Sequence, residues 1–82
     1  MKLLFQSSNG NERVVSEVNS WCDVCKGINK FLDEHNFKSY YQRLWQKEDR
    51  VYVDVGSHTE FFIVEPYTME QLYKEQEMVE ED

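Results

Sequence analysis

One long stretch of this chain repeats its apolar residues at helical spacing, and it lies between segments that alternate at strand spacing. Trp21, Val24, Cys25, Ile28, Phe31, Leu32 and His35 share one stripe, with Asp23, Lys26, Lys30, Asp33 and Glu34 opposite. A single amphipathic helix can cover only one face of a sheet, so the pattern restricts the chain to an α+β fold with its helix on one side. Ser20 precedes the stripe and Asp23 follows three residues on, the S-x-x-D form of a capping box. At the far end Asn36 suits the left-handed position after a helix, and Phe37 can fold back on the last turn.

The flanking segments supply the strands. Leu3-Leu4-Phe5-Gln6 and Arg13-Val14-Val15-Ser16-Glu17-Val18 are separated by Ser8-Asn9-Gly10-Asn11, and Asn-Gly between two such runs predicts a hairpin. Beyond Lys38, Ser39 to Trp45 reads as a strand and Gln46-Lys47-Glu48-Asp49 as a polar turn. Val51 to Val55 then reads as a strand with Val51, Val53 and Val55 on one face. Gly56-Ser57-His58-Thr59 turns the chain into Phe61-Phe62-Ile63-Val64, whose unbroken apolarity predicts a central strand. Pro66 ends it, and Thr68-Met69-Glu70-Gln71 is a second capping box, opening a helix with Met69, Leu72 and Tyr73 on one side. The stripe fades after Tyr73, which predicts a docked turn or two and then a mobile end over residues 76–82. The order ββαβββα, with short connections throughout, predicts an antiparallel sheet of four to five strands. Residues 1–67 form a single α+β domain in this reading, and 68–82 a C-terminal helix with an acidic tail.

With 82 residues, three Gly and one Pro, the chain is an ordered domain near the lower limit for a core without staples. The net charge of −7 is uneven, because residues 1–69 carry ten acids against eight bases and the rest of the deficit lies in 70–82. A nearly neutral body has no basic stripe for phosphates, which argues against a nucleic-acid partner. No stretch is long enough to span a membrane, and the apolar start Leu3-Leu4-Phe5 is too short for a signal peptide. A cytoplasmic location with reduced thiols follows as an expectation.

Trp21-Cys22-Asp23-Val24-Cys25-Lys26 is similar to the active-site motif of thioredoxin-like proteins, which would make Cys22 and Cys25 a redox pair at a helix N-terminus. That fold needs a strand before the motif that pairs in parallel with the strand after the helix, and a cis-proline beside the thiols. Here a hairpin precedes the motif, and Pro66 ends a strand just before another helix. Cys25 also falls in the middle of the apolar stripe and Cys22 at its margin, which favours packing over chemistry. A zinc site would need His35 and His58 as well, yet His35 lies roughly 15 Å further along the helix at 1.5 Å per residue. No metal or other cofactor is therefore expected.

Two further groups stand out. Asp54, His58 and Glu60 flank a turn together with Ser57, an acid-base constellation in composition but an ordinary exposed hairpin tip in spacing. Three glycines cannot build a phosphate loop, and no catalytic motif is present. The chain reads as non-enzymatic. Tyr41, Arg43 and Trp45 alternate along one strand and Tyr52 lies on the next, and these residue types dominate protein interfaces. They are candidates for the sheet face that the main helix leaves open. That face must be covered by the second helix, by another copy of the chain in a homodimer, or by a protein partner. The acidic Glu77, Glu80 and Glu81 offer a second contact surface for a basic partner.

The segments Phe31-Leu32-Asp33-Glu34-His35-Asn36-Phe37-Lys38-Ser39-Tyr40-Tyr41 and Asp54-Val55-Gly56-Ser57-His58-Thr59-Glu60-Phe61-Phe62 resemble a family of small uncharacterised proteins of bacteriophages and prophages of Gram-positive bacteria. The resemblance covers residues 1–65 and brings no catalytic residues. It implies an accessory phage protein that acts in the host cytoplasm by occupying a site on a host or defence protein.

Overall fold

The main helix begins where its capping box predicts. In the computed structural model, which describes residues 1–38, 42–56 and 59–80 with the side chains of 77–80 left aside, α1 runs Trp21–Glu34. The Asp23 amide donates to the Ser20 hydroxyl at 3.2 Å and the Asn19 amide to the Asp23 carboxylate at 3.0 Å. The helix closes in a Schellman motif: Asn36 is left-handed at φ 53°, its amide donates to Asp33 and the Phe37 amide to Leu32. Phe37 packs on the core as the hydrophobic contact of that cap.

Five strands flank it: β1 Lys2–Gln6, β2 Glu12–Glu17, β3 Arg43–Lys47, β4 Arg50–Asp54 and β5 Phe61–Glu65. They form one sheet in the order β2-β1-β5-β4-β3, every neighbour antiparallel. The chain leaves the sheet at one edge, β2, and α1 returns it at the other edge, β3. Gly10 at φ 88° turns the first hairpin, in which the Ser7 amide donates to the Asn11 carbonyl at 2.8 Å. The central position of β5 matches its continuous apolar run.

Alternation sorts the side chains into two faces. Leu3, Val51, Val53, Phe62 and Val64 point to the side where Val24, Ile28, Phe31 and Leu32 of α1 complete the core. A register shift between Leu3 and Leu4 pairs Leu3 with Ser16 and Leu4 with Val14. Val15 is left over as a bulge and joins the core side. On the opposite face one row crosses all five strands: Val14, Leu4, Ile63, Tyr52 and Trp45 are register partners in succession.

The expected strand from Ser39 begins only at Arg43, with Gln42 outside it and residues 39–41 outside those described, and three further features depart from the sequence reading. The β3 strand continues through Gln46 and Lys47, so the turn shrinks to Glu48-Asp49, with Glu48 left-handed at φ 58°. At a sheet edge polar residues are compatible with a strand, so their polarity did not mark its end. The second helix, α2 (Met69–Glu80), extends well past Tyr73. Residues 74–77 are good helix formers, and Lys74 pairs with Glu70 one turn back at 3.3 Å, so helix continues without an apolar stripe. Tyr73 points outward at 57 % exposure, and α2 docks instead through Leu72 and Met69. Finally, His35 is exposed and Trp21 and Cys25 are only half-buried, so the buried stripe is narrower than its period suggested.

At Gly27 α1 lies close over the sheet. A Cβ there would lie 2.8 Å from Leu3 Cδ2 and 3.4 Å from the Ser16 hydroxyl. Leu3 is fully buried, so its side chain would have to shift inside the core to make room. Gly27→Ala gains helix propensity of about 1 kcal/mol, but overpacking at such a site typically costs about 1–3 kcal/mol. The variant is expected to be less stable by about 1 kcal/mol, read as a lower urea midpoint with unchanged slope. A rise in midpoint would show that the helix rides free of the sheet at this point.

Candidate functional site, the outer face of the sheet

Among the described residues the outer face carries no helix. The buried Leu72 of α2 joins the same core cluster as α1, so the second helix lies with the first and leaves Val14, Leu4, Ile63, Tyr52 and Trp45 on the other side. Yet Ile63 and Leu4 are only 0 and 8 % exposed. An ion cluster crosses the same face above their strands. The Arg50 guanidinium donates to both Glu12 carboxylate oxygens at 2.8 and 3.1 Å and through Nε to Glu65 at 2.6 Å. Arg50 is on β4 and Glu12 on β2, with β5 and β1 between them, so the pair has to run over the outer face. Ile63 and Leu4 belong to those two intervening strands. The bond to Arg50 holds the Glu12 carboxyl below its ordinary value of 4.5, and Glu12, Tyr52 and Glu65 together hold the Arg50 guanidinium charged.

At the β3 edge the same face is aromatic. Trp45 stacks on its cross-strand partner Tyr52, rings 5.5 Å apart and 6° from parallel, and meets Phe61 edge-on at 5.5 Å. Trp45 remains 38 % exposed. Arg43 and Lys47 are two residues either side of it on the same strand, so two cations flank the ring on one face. Arg43 donates to Asp54 at 3.1 Å, while its own side chain is 70 % exposed. Asp54 is almost fully buried and is held further by the Gly56 amide at 2.9 Å.

The structure thus brings Arg43, Trp45 and Tyr52 together on one face, as alternation predicts. Tyr41 and Glu81 lie outside the described residues, and of Glu77 and Glu80 only their place in α2 is described. Glu75, which the sequence groups with the acidic tail, has a different position: it accepts from the Trp21 amide at 2.9 Å and from the Tyr67 hydroxyl. A carboxylate at the first residue of α1 complements the positive end of that helix. Burial, and then the Glu75 carboxylate, push the Tyr67 phenol well above its usual range.

The other constellations separate. By strand alternation Asp54 lies on the outer face, whereas Glu60 lines the helix side with Val55 and Phe62, so the two carboxylates do not converge. His58 lies outside the described residues. No group of metal-ligating side chains occurs among the described residues. Cys22 is exposed and Cys25 half-buried, both as free thiols. Burial, with a smaller contribution from Cys22, raises the Cys25 thiol above its ordinary 9.0. The strands on either side of α1 are opposite edges of an antiparallel sheet, unlike the parallel neighbours of a thioredoxin-like site. The Glu65–Pro66 peptide is cis, and Tyr67 after it stacks on Trp21 at 6.1 Å. A scan against protein-family models and searches of curated proteins and of solved structures find no match to this chain.

Glu12→Gln is expected to lower stability at neutral pH by about 1 kcal/mol, and Arg50→Met by about 1–3 kcal/mol, because it leaves two carboxylates facing each other. The depressed Glu12 carboxyl contributes stability above the ordinary carboxylate range that is lost as pH falls through its folded value. The difference between wild type and Glu12→Gln in urea titrations should therefore close on acidification from neutral to below pH 4.5. A difference independent of pH would show that the pair is not ionic. For the thiols, alkylation at neutral pH should modify Cys22 readily and Cys25 only on unfolding. Rapid native-state labelling of Cys25 would reopen the redox reading.

Proposed function

We propose that the protein is a small non-enzymatic binding protein that engages another protein through the β3 edge of the outer face. The observation that supports this reading is Trp45: a large aromatic held rigid between Tyr52 and Phe61, yet 38 % exposed on a helix-free face, between Arg43 and Lys47. Rigid aromatics beside arginine concentrate binding energy at interfaces, because they bury much area for little entropy. The flanking cations define the complement, a protein surface that offers an apolar side chain bordered by carboxylates. The resemblance of the segments around Phe31–Phe37 and Asp54–Phe62 to phage and prophage proteins supplies the setting: an accessory protein in the host cytoplasm that acts stoichiometrically on a host or defence factor.

A thiol redox role has less support, since the more enclosed thiol is raised, not lowered, by its surroundings. Self-association through the same face also loses part of its motive, because Ile63 and Leu4 at the centre of the face are already covered from within the chain.

The test is quantitative capture from cell lysate by wild type, Trp45→Ala, Arg43→Glu and a chain truncated after Gln76, all checked for folding by circular dichroism. A partner retained by wild type and by the truncated chain, but lost or reduced more than about tenfold with Trp45→Ala, is the expected result, and Arg43→Glu should weaken it in a salt-dependent manner. Equal capture by Trp45→Ala, or loss on truncation alone, would move the binding surface to the acidic end. A concentration-dependent dimer by sedimentation that Trp45→Ala dissolves would make the partner a second copy.

A further inference from the structure

On the helix side of the sheet, opposite the face just described, the last turn of α1 overhangs a cavity of about 270 Å³. Three rings build its wall. Phe5 of β1, Phe31 of α1 and Phe62 of β5 touch one another at centroid distances of 4.6, 5.4 and 5.3 Å. Phe31 and Phe62 are buried, so these rings are anchored in the core and the space beside them is preformed. The size suits a ligand of one ring, near the lower end of small-molecule sites.

The polar lining is what distinguishes this space from a packing void. The Arg13 guanidinium lies 5.5 Å from the Phe31 centroid and 5.9 Å from that of Phe5. It has no ion pair or hydrogen bond with the described residues, in contrast to Arg43 and Arg50. Cation–π contact uses the faces of the rings and leaves the planar N–H fork of the guanidinium for a bidentate acceptor. His35 stacks on Phe31 at 4.1 Å, and its Nδ1–H donates to the Phe31 carbonyl at 2.8 Å. That bond settles the tautomer, so the remaining ring nitrogen Nε2 accepts when the ring is neutral and donates when it is charged. Glu60 lines the cavity as well. One cation with open donors beside one carboxylate favours a monoanion and disfavours a ligand with two acidic groups.

We infer that this cavity is a binding site for a small monocarboxylate bearing one aromatic ring, the ring lying against Phe5, Phe31 and Phe62 and the carboxylate on the fork of Arg13. The site uses none of the residues of the outer face, so it stands or falls independently of the protein partner proposed above.

The experiment is a ¹H–¹⁵N correlation NMR titration of the full chain, at neutral pH and up to millimolar probe, with 3-phenylpropionate, its neutral amide and phenethylamine. The acid is expected to shift amides of Phe5, Phe31 to Phe37 and Phe62 saturably, and to bind at least about tenfold more tightly than the amide, the scale of hydrogen bonds to a charged group. Arg13→Gln should erase that preference while leaving the amide's affinity unchanged, and Arg13→Lys should restore part of it, as a point charge without the fork. Arg13 is exposed on edge strand β2, so both variants should retain the wild-type spectrum away from the cavity. Absence of saturable shifts with all three probes, equal binding of acid and amide, preference for the amine, or undiminished acid binding by Arg13→Gln would each overturn the assignment.

Discussion

Burial of the Val24–Ile28–Phe31–Leu32 stripe against the central strands is the interaction on which the rest of the protein depends. Strands β1 and β5 meet only because the chain between β2 and β3 crosses the whole sheet, and α1 is the element that carries it across. Its length is fixed at one end by Ser20 and Asp23 and at the other by the left-handed Asn36. Its height above the sheet is fixed by the absence of a side chain at Gly27 over Leu3. The two proposed sites inherit this geometry from opposite sides. The cavity lies under the C-terminal turn of α1, and the outer face is what remains when both helices use the other side.

That outer face shows how a small domain handles a sheet with too few helices. Burying a charge is costly and burying an apolar row without cover is impossible, but a half-exposed guanidinium that holds two carboxylates can lay its methylene stem over apolar neighbours. Arg50 reaches across the strands that carry the buried Ile63 and Leu4, with Glu12 and Glu65 as anchors. The cover stops before Trp45, where the aromatic row reaches the edge strand. The row is closed at Leu4 and Ile63 and open at its two ends, Trp45 at 38 % and Val14 at 54 % exposure, so what remains exposed is two small, separate patches.

Much of this was legible in the order of residue types. The N-caps Ser20 and Thr68, the Asn36 cap, the hairpin at Asn9-Gly10 and the central placement of β5 follow from local chemistry, and all appear where the sequence puts them. The placement of Arg43, Trp45 and Tyr52 on one face was legible too, because strand alternation leaves only two choices. The ends of β3 and α2 were not: an edge strand and an exposed helix are both built from polar residues, so hydropathy carries no signal about where they stop. Glu75 was misgrouped for a related reason. In the sequence it is one acid among several, and nothing near it announces the Trp21 amide 54 positions away.

The sequence by itself determined the elements, their order and the two faces of each, since these depend on contacts between residues at most a few positions apart, where spacing and turn chemistry act directly. What only the tertiary structure decided are the pairings made across the sheet: Arg50 with Glu12, Glu75 at the start of α1, Arg13 over Phe5 and Phe31, and Asp54 and Glu60 on opposite faces. An ionic group can choose among many partners of opposite sign at nearly equal Coulomb energy in water. Which one it finds depends on strand order, register and twist, and those are settled by the burial of side chains far apart in the chain.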